Sequence, residues 1–595
     1  MSQHDATSAF DPTQNRGSDL SAIFQAINST NIGTSRPDYA VEGTIWLRKR
    51  TSPSRAELYL YDGGNDIILG TFDFTTHKFT LASTSLENFG SAAFLDVGTG
   101  EDDLVQLGAG GLLPALDGSQ LTNLDLTNAV FPIPDSSRVE KIPANKSGGG
   151  SFRSGGVVLA DRTLRMWGNS SYSQLGQGAW SLSPKEVPVM VSFPIGLTAE
   201  IVKWVSSGYN HWVLFTNGDI YTWGRNNFGE LGRGSTAVTA YPTKVTSGDI
   251  DTKQVVDISV GYSGYNNACH VLALTDTGEL YSCGHNAYGQ CGTGNTTQVN
   301  AFTQIGAGQT WAKIFAIGST YGYSAAITTA GELYTWGWNG SGNLGLGDTV
   351  NKTVPTFNNF FGGVDVDTVS GCVDDGTLSG TQINAHMLAL LTNGKVYAWG
   401  YNGFGQLGTG DTTQYDVPQE ITDVGTNNLQ VIASGGYQGS SYVRKSDNTI
   451  HSAGYNGRGA LGRNGDNGNN NGDSNVFAEV VGSDHNTLTD MIAIGSGSYQ
   501  SLFALYENGR IKCCGYNGNG QLGIGTNADR RGSMTYVRLH ERLNAVDLNA
   551  IGVASEAALG ILTDTGQYLQ TGYGGNGQLG DEDESSSGVA RLFSF

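Results

Sequence analysis

The stretch WGRNNFGELG, Trp223 to Gly232, decides the fold, because it returns almost unchanged as WGYNGFGQLG at Trp399 to Gly408 and more loosely at six other places. Those copies begin at Trp167, Cys283, Trp336, Ala453, Cys514 and Thr571, so the phrase occurs eight times, at intervals of 56, 60, 53, 63, 54, 61 and 57 residues. Glycine is second in every copy: Gly168, Gly224, Gly284, Gly337, Gly400, Gly454, Gly515 and Gly572. Leu stands eight positions after the first residue in seven copies, and Cys291 replaces it in the third. A period of this regularity marks a repeat architecture, in which each unit buries its apolar face against its neighbours.

Outward from the phrase, every unit has the same order. A first strand such as IVKWVSSG (201–208) or QVIASGG (430–436) precedes a second such as HWVLFTNG (211–218), HVLALTDTG (270–278) or HMLALLTNG (386–394). A turn leads to a third strand, DIYTW (219–223) or KVYAW (395–399); the phrase follows, and then a fourth strand, EVPVMV (186–191) or DVPQEI (416–421). Alternating apolar residues with a glycine in each second-to-third turn predict four antiparallel strands per unit, hence an all-β chain.

The combined pattern LT-x-x-G-x-L-Y-x-W-G-x-N-x-x-G-Q-L-G, over about residues 135–595, resembles the regulator of chromosome condensation repeat, a β-propeller family. The resemblance implies four-stranded blades around an axis. Propellers of that family usually have seven blades, whereas the phrase count gives eight, and eight is the expectation here. The last strand, VARLFSF (589–595), is free to pair with the first unit and close the ring, since a propeller leaves no blade edge open. Departures are Ala453, Cys283, Cys514 and Thr571 for Trp, Ser173 for Gly, and Gly574 for Asn, all at packing or turn positions.

Composition narrows the function. With 87 Gly but 13 Pro, and 38% of the chain hydrophobic, the glycines read as turns between many short strands rather than as disorder. The net charge is −21, and Arg48-Lys49-Arg50 is the one basic cluster, which argues against nucleic-acid or anionic-membrane partners. The six cysteines show no CxxC spacing, and Cys283, Cys291 and Cys514 fill Trp or Leu positions, so buried apolar fillers are expected rather than disulfides or a zinc site. The first thirty residues lack a signal-peptide core, and no apolar run approaches membrane-spanning length.

The first quarter of the chain is different. Residues 1–40 read as a polar arm followed by a short helix capped by Ser18-Asp19, with Leu20, Ile23, Phe24 and Ile27 on one face. Such a helix needs a surface to pack on. Residues 41–85 read as a small antiparallel unit of TIWLRKR, AELYLYD, IILGTFDF and KFTL, with Asp62-Gly63-Gly64-Asn65 as a hairpin turn. Residues 86–130 read as a Gly- and Leu-punctuated stem before the repeats at 131–595. Gly43 to Phe79 is similar to the short β modules of bacteriophage tail-fibre and tail-needle proteins, and Ala92 to Leu124, above all LPALDGSQLTNL, to a linker phrase of such fibres.

Most repeated residues read as scaffold: Trp and Leu between neighbouring blades, Gly where the backbone needs positive φ or close approach. His211, His270 and His386 occupy one equivalent place at the start of the second strand. Spread around a ring, they cannot converge on one ion, so structural hydrogen-bonded His is expected and no metal site. The insert Asn464 to Asn475 lacks a carboxylate at the twelfth place of a calcium loop, and Asp581-Glu582-Asp583-Glu584 reads as a solvated turn. No nucleophile elbow, HExxH or phosphate loop is present, and no catalytic residue or cofactor is expected. The third residue of the phrase varies instead: Asn169, Arg225, His285, Trp338, Tyr401, Tyr455, Tyr516, Tyr573. Five successive aromatics at one loop position suit recognition of a sugar or a protein, because rings supply contact area at low entropy cost; the bland reading is that they cover loop glycines. The inserts Tyr262–Asn267, with Tyr262 and Tyr265, and Cys372–Asn384 add contact loops.

Joined to the fibre resemblance, these features imply a receptor-binding tail-fibre protein: part of a virion, homotrimeric, docked on tail or baseplate proteins through its N-terminus. Its propeller would hold a host surface polysaccharide or outer-membrane protein. The alternative is a regulatory or scaffold propeller resembling a nucleotide-exchange factor for small GTPases. A depolymerase would need two carboxylates facing each other in a cleft, and no repeat gains inward acids, so a non-enzymatic role is expected.

Overall fold

A computed structural model describes residues 32–33, 45–49, 55–61, 66–73, 78–81 and 138–592, the last less 143–153, 179–183, 208, 262–267, 319, 375–382, 436–438, 464–471, 482–490, 498–499, 540–542, 552–557, 574–578 and 580–586. The chain divides into two compact units, Met1–Thr127 and Asn128–Phe595. In the first, Ile45–Lys49, Arg55–Tyr61, Asp66–Asp73 and Lys78–Leu81 form the antiparallel meander that the sequence predicts. Tyr61 pairs with Asp66 across the expected hairpin, and a two-residue strand, Ile32–Gly33, adds in parallel to the first edge. The expected helix at Leu20 to Ile27 and the stem at 86–130 lie outside the described residues, as do Tyr262, Tyr265, Gly574 and Asp581 to Glu584.

The second unit is an eight-bladed propeller of four-stranded antiparallel sheets, each built from one contiguous run of chain in the order first, second, third, fourth. Blade 2 shows the plan, with strands Ile201–Ser206, Asn210–Phe215, Ile220–Gly224 and Thr239–Lys244. First strands bond to first strands of the next blade: Lys203 Nζ to Asp257 Oδ1 at 2.5 Å, the Ala316 N–H to Ser259 Oγ at 2.9 Å, Ser496 Oγ to Ser434 Oγ at 2.8 Å. They are therefore the innermost strands, around the axis, and the fourth strands are outermost.

The phrase opens where the third strand ends. Gly224 has φ 96°, and a Cβ there would meet the Tyr209 carbonyl at 2.2 Å, so only glycine lets the strand leave the sheet at this point. The turn that follows is organised by the fourth residue. Asn226 Oδ1 accepts from the Leu231 N–H at 2.9 Å while its Nδ2 donates to the Ser235 and Ala237 carbonyls. Asn286, Asn339, Asn402, Asn456 and Asn517 accept from the matching amide at 2.8–3.0 Å. The amide satisfies buried backbone groups that a turn of this length leaves orphaned.

The first residue of the phrase ties blades together. Trp223, Trp336 and Trp399 are fully buried, and each donates its indole N–H to the carbonyl of the eighth phrase residue one blade earlier: Gln174 at 2.8 Å, Gln290 at 3.0 Å and Asn343 at 2.9 Å. Cys283 and Cys514 direct their thiols at the same carbonyl of Glu230 and Ala460, each at 3.6 Å, and Thr571 donates to Gly520 at 2.8 Å. The sequence departures thus keep the cross-blade donor, except at Ala453. Apolar packing follows the same seams, one cluster between each pair of successive blades.

Ring closure differs from expectation. The final strand, Ser587–Leu592, pairs with Tyr568–Gly572 of its own blade and not with the first unit. Blade 8 meets blade 1 by packing: Trp167 against Tyr568 at 6.0 Å between ring centroids, with the Val139 N–H bonded to the Gly566 carbonyl at 2.8 Å. A strand shared between blades is unnecessary because this seam has the same kind of contacts as the other seven.

Two outcomes are expected in thermal or denaturant unfolding. Trp399→Ala should cost about 3–5 kcal/mol through the cavity and the lost seam bond. Ser173 holds φ 58° where other phrases have glycine, and its buried hydroxyl has no partner; Ser173→Gly should stabilise by about 1 kcal/mol.

Candidate functional site

Because the phrase opens at the end of the third strand, beside the start of the second and the end of the first, the phrases all open on one face of the disc, here the phrase face. The structure places four of the third-residue aromatics, Trp338, Tyr401, Tyr455 and Tyr516, as lids on their own loops. A Cβ on Gly403, Gly457 or Gly518 would meet the hydroxyl of Tyr401, Tyr455 or Tyr516 at 2.1–2.3 Å, and one on Gly340 would meet the Trp338 ring at 2.5 Å. Trp338 is 8% exposed; the tyrosines, Tyr573 among them, are half-buried.

These rings are also joined from blade to blade by residues that the sequence reading passed over. The sixth phrase residue of one blade reaches the third of the next. Arg225 lies 5.5 Å over Tyr172, Phe228 stands edge-on to His285 at 5.0 Å, Phe404 to Tyr455 at 5.5 Å, and Arg458 lies 5.3 Å over Tyr516. Between blades 3 and 4 the link runs from Tyr288 to Tyr321 at 5.2 Å and on to Trp338 at 5.8 Å. The outcome is an interrupted belt of half-buried aromatic and cationic groups. Stacked edge-to-face or beneath a guanidinium, such rings hold fixed orientations. The signal was present in sequence as Tyr172, Phe228, Tyr288 and Phe404 at one position.

The histidines depart from their expected equivalence. His270 and His386 stand opposite the phrase glycines Gly284 and Gly400, while His211 is one residue further along, opposite Trp223. Each of the first two crosses a seam: His270 Nε2 shares a 2.8 Å hydrogen bond with Ser324 Oγ, and His386 Nε2 a 2.9 Å bond with Ser441 Oγ. His211 Nδ1 accepts from Trp204 Nε1 at 3.4 Å. Complete burial pushes all three down to about 3, so they are neutral structural groups. Among the described residues no three His, Cys, Asp or Glu side chains stand together as a metal-binding group. In the calcium-like insert, residues 464–471 lie outside the described residues, and Asp473 Oδ1 accepts from the Asn456 N–H at 2.9 Å, a loop-capping role. Asn351 and Asp529 cap blades 4 and 7 in the same way.

The chemically unusual group on this face is Glu230. It fills the eighth phrase position, where Gln174, Gln290, Gln406 and Gln521 stand elsewhere, and like them accepts from the amide two residues earlier, here Phe228 at 2.6 Å. Its second oxygen accepts from Asn210 Nδ2 at 3.2 Å, beside buried Ser207 and Cys269. Desolvation lifts it to about 7, against the pull of backbone hydrogen bonds and Arg225.

Comparison with known proteins agrees with the propeller. The regulator of chromosome condensation (RCC1) repeat matches residues 217–264, 330–372 and 393–439, and a second form of it matches 255–290. The chain thus carries RCC1 repeats in an eight-bladed ring. The ultraviolet-B receptor UVR8 of Arabidopsis thaliana is 29% identical over 380 residues, 63% of this chain and 78% of that protein. The human E3 ubiquitin-protein ligase HERC2 is 26% identical over 388 residues, 64% of this chain but 7% of the ligase. Among solved structures, human WBSCR16 is 22% identical with a TM-score of 0.49, covering 68% of this chain and 100% of that one.

These matches overturn the adhesin expectation. The relatives are cellular proteins of a plant and a mammal, not virion components. The tail-fibre role, the virion location, the host-receptor and tail-protein partners and the homotrimer, all inferred through the fibre resemblance, fall with it. The physical reason is that a short antiparallel meander and a Gly/Leu-rich linker are generic solutions to small-sheet packing and carry little identity. The repeat signature spans most of the chain and constrains far more positions.

Glu230 yields a pH prediction. A carboxyl raised from 4.5 to about 7 contributes stability that is full below the unfolded pKa and is lost as pH rises through the folded one. Glu230→Gln should therefore leave the unfolding free energy nearly unchanged at pH 4.5 and raise it by about 1–3 kcal/mol at pH 8. Chemical denaturation at both pH values checks it; equal effects at both would show that Glu230 is not the titrating group.

Proposed function

We propose that this chain is a non-enzymatic regulatory or scaffold propeller that works by holding a protein partner on its phrase face. A small GTPase is the partner class that the repeat resemblance puts first. The observation that supports the reading is the belt: rings from Tyr172 to Tyr516, oriented by neighbours across the seams and half-exposed on one face. Preoriented aromatic and arginine side chains bind protein surfaces with small loss of side-chain freedom, and they dominate measured interface energetics. The cellular regulators among the relatives favour the same class of role, and the acid balance of the chain argues against nucleic acid as the partner.

The test uses the full chain with a panel of purified small GTPases loaded with a fluorescent nucleotide. Binding and at least about tenfold faster nucleotide release from one member are expected, and Tyr455→Ala with Arg458→Ala should remove both while melting remains cooperative. If no member binds or releases faster, the exchange-factor reading fails. If one binds and the double variant binds it equally, the belt is not the surface.

A further inference from the structure

The other face of the disc carries a second, unrelated surface. Every first strand begins with a β-bulge, where two of its residues oppose one on the second strand, as between Ile201 and Lys203 or Met491 and Ala493. The bulged residue has no cross-strand partner, and a bulge turns its side chain out of the blade. In five blades that residue is a large aliphatic left to solvent: Val202, Val256, Leu429, Ile492 and Val546, 44–50% exposed. Blade 4 has Ala312 there, and blades 1 and 5 have the acids Glu140 and Asp367.

Geometry gathers these residues. First strands are innermost, as Lys203 with Asp257, Lys313 with Asp367 and Gln430 with Ile494 show by bonding directly across successive blades. The bulges sit at the strand starts, so they ring the mouth of the axial channel on the face opposite the phrases. Isolated exposed aliphatics need no explanation, but the same bulge position exposed and aliphatic in five blades around one axis forms a patterned apolar annulus.

The chemistry around the annulus selects its occupant. The turns and strand approaches of this face carry the exposed acids Asp251, Asp276, Asp365, Glu507 and Asp564. Several of its cations are already matched: Arg162 with Glu200, Lys203 with Asp257, Lys253 with Glu279, Lys313 with Asp367. Lys445 and Arg510 are on the same turns, yet the balance remains acidic, in keeping with the net charge of −21. An anionic membrane or a second copy of this chain would be repelled at close approach.

We propose that this channel mouth is a docking site for a basic segment of a partner protein, one that alternates Lys or Arg with large apolar side chains. The apolar residues would cover the annulus, and the cations would face the surrounding acids. The site is separate from the phrase face, so the two surfaces could hold different proteins at once.

The experiment measures the anisotropy of labelled short peptides against the full chain, one alternating Lys with Leu and one alternating Glu with Leu. The Lys/Leu peptide is expected to bind and the Glu/Leu peptide not. Leu429→Ser with Ile492→Ser should weaken binding at least about tenfold. The outer-rim pair Val350→Ser with Val354→Ser, on the fourth strand of blade 4 and its approach, and the phrase-face variant Tyr455→Ala, should leave it within about twofold. The substituted aliphatics are exposed and Tyr455 is half-buried on a loop, so unchanged melting separates lost binding from misfolding. Equal binding to the annulus variant would reduce the effect to nonspecific attraction by a polyanion and overturn the proposal. So would binding of both peptides, adsorption of the full chain to phosphatidylcholine vesicles that the annulus variant loses, or self-association that the same variant abolishes.

Discussion

The propeller depends on one recurrent bond, made in six of the eight blades from the first residue of the phrase to a carbonyl near the end of the preceding phrase. In blades 2, 4 and 5 an indole N–H makes it, and in blades 3, 7 and 8 a thiol or hydroxyl replaces the indole. The acceptor lies within the loop of the earlier blade, so a blade cannot rotate against its neighbour without leaving a buried carbonyl unpaired. That penalty is about 1–3 kcal/mol per group, applied at seam after seam. The large ring also fills the seam, so directional and apolar terms coincide at the same atoms. The core is accordingly a set of seams rather than one interior, which is how the unit Asn128–Phe595 stays within the reach of small hydrophobic clusters.

Such a frame leaves few positions free to vary. Within the phrase, the first, second, fourth, seventh and ninth residues are committed to the seam donor, the strand exit, the turn amide, the left-handed turn and the core. The third and sixth residues are not, and they supply the belt from Tyr172 through Tyr516. On the opposite face the bulged residue of each first strand is equally uncommitted. Variation is therefore channelled to two rings, one on each face, by the same constraints that hold the blades in register. The belt and the annulus differ in chemistry because their supports differ. Rings over loop glycines are locked by neighbours, whereas bulged aliphatics stand alone.

The period and the second-position glycines made the blades, their order and their number legible from sequence, because each of those features answers a local steric demand visible in every copy. Gly224 is an example: its φ of 96° follows from the Tyr209 carbonyl 2.2 Å from where a Cβ would sit. What escaped was relational. That Phe404 meets Tyr455 depends on how far one blade is turned from the next, a quantity no single repeat encodes. The His211 register was misread for a similar reason: spacing from the phrase differs by one residue between units, and only the pairing with Trp223 reveals it. The fibre-like first quarter misled because alternating strands and a Gly/Leu linker are compatible with many proteins.

Closure without a shared strand sharpens the role of the seam. In a ring whose last strand completes the first blade, covalent continuity holds the ends together; here Ser587–Leu592 stays with its own blade. The join between blades 8 and 1 rests on Trp167 against Tyr568, the Val139–Gly566 bond and a cluster of Val, Ile and Leu side chains. A seam of that kind is of the same nature as the seven internal ones but lacks the covalent connection that keeps internal neighbours at high effective concentration. The ring therefore closes because eight blades fill the circle closely enough for the terminal surfaces to meet. The phrase count is then a structural requirement as well as a description: the same seam geometry repeated with one unit fewer would leave Trp167 and Tyr568 facing a gap.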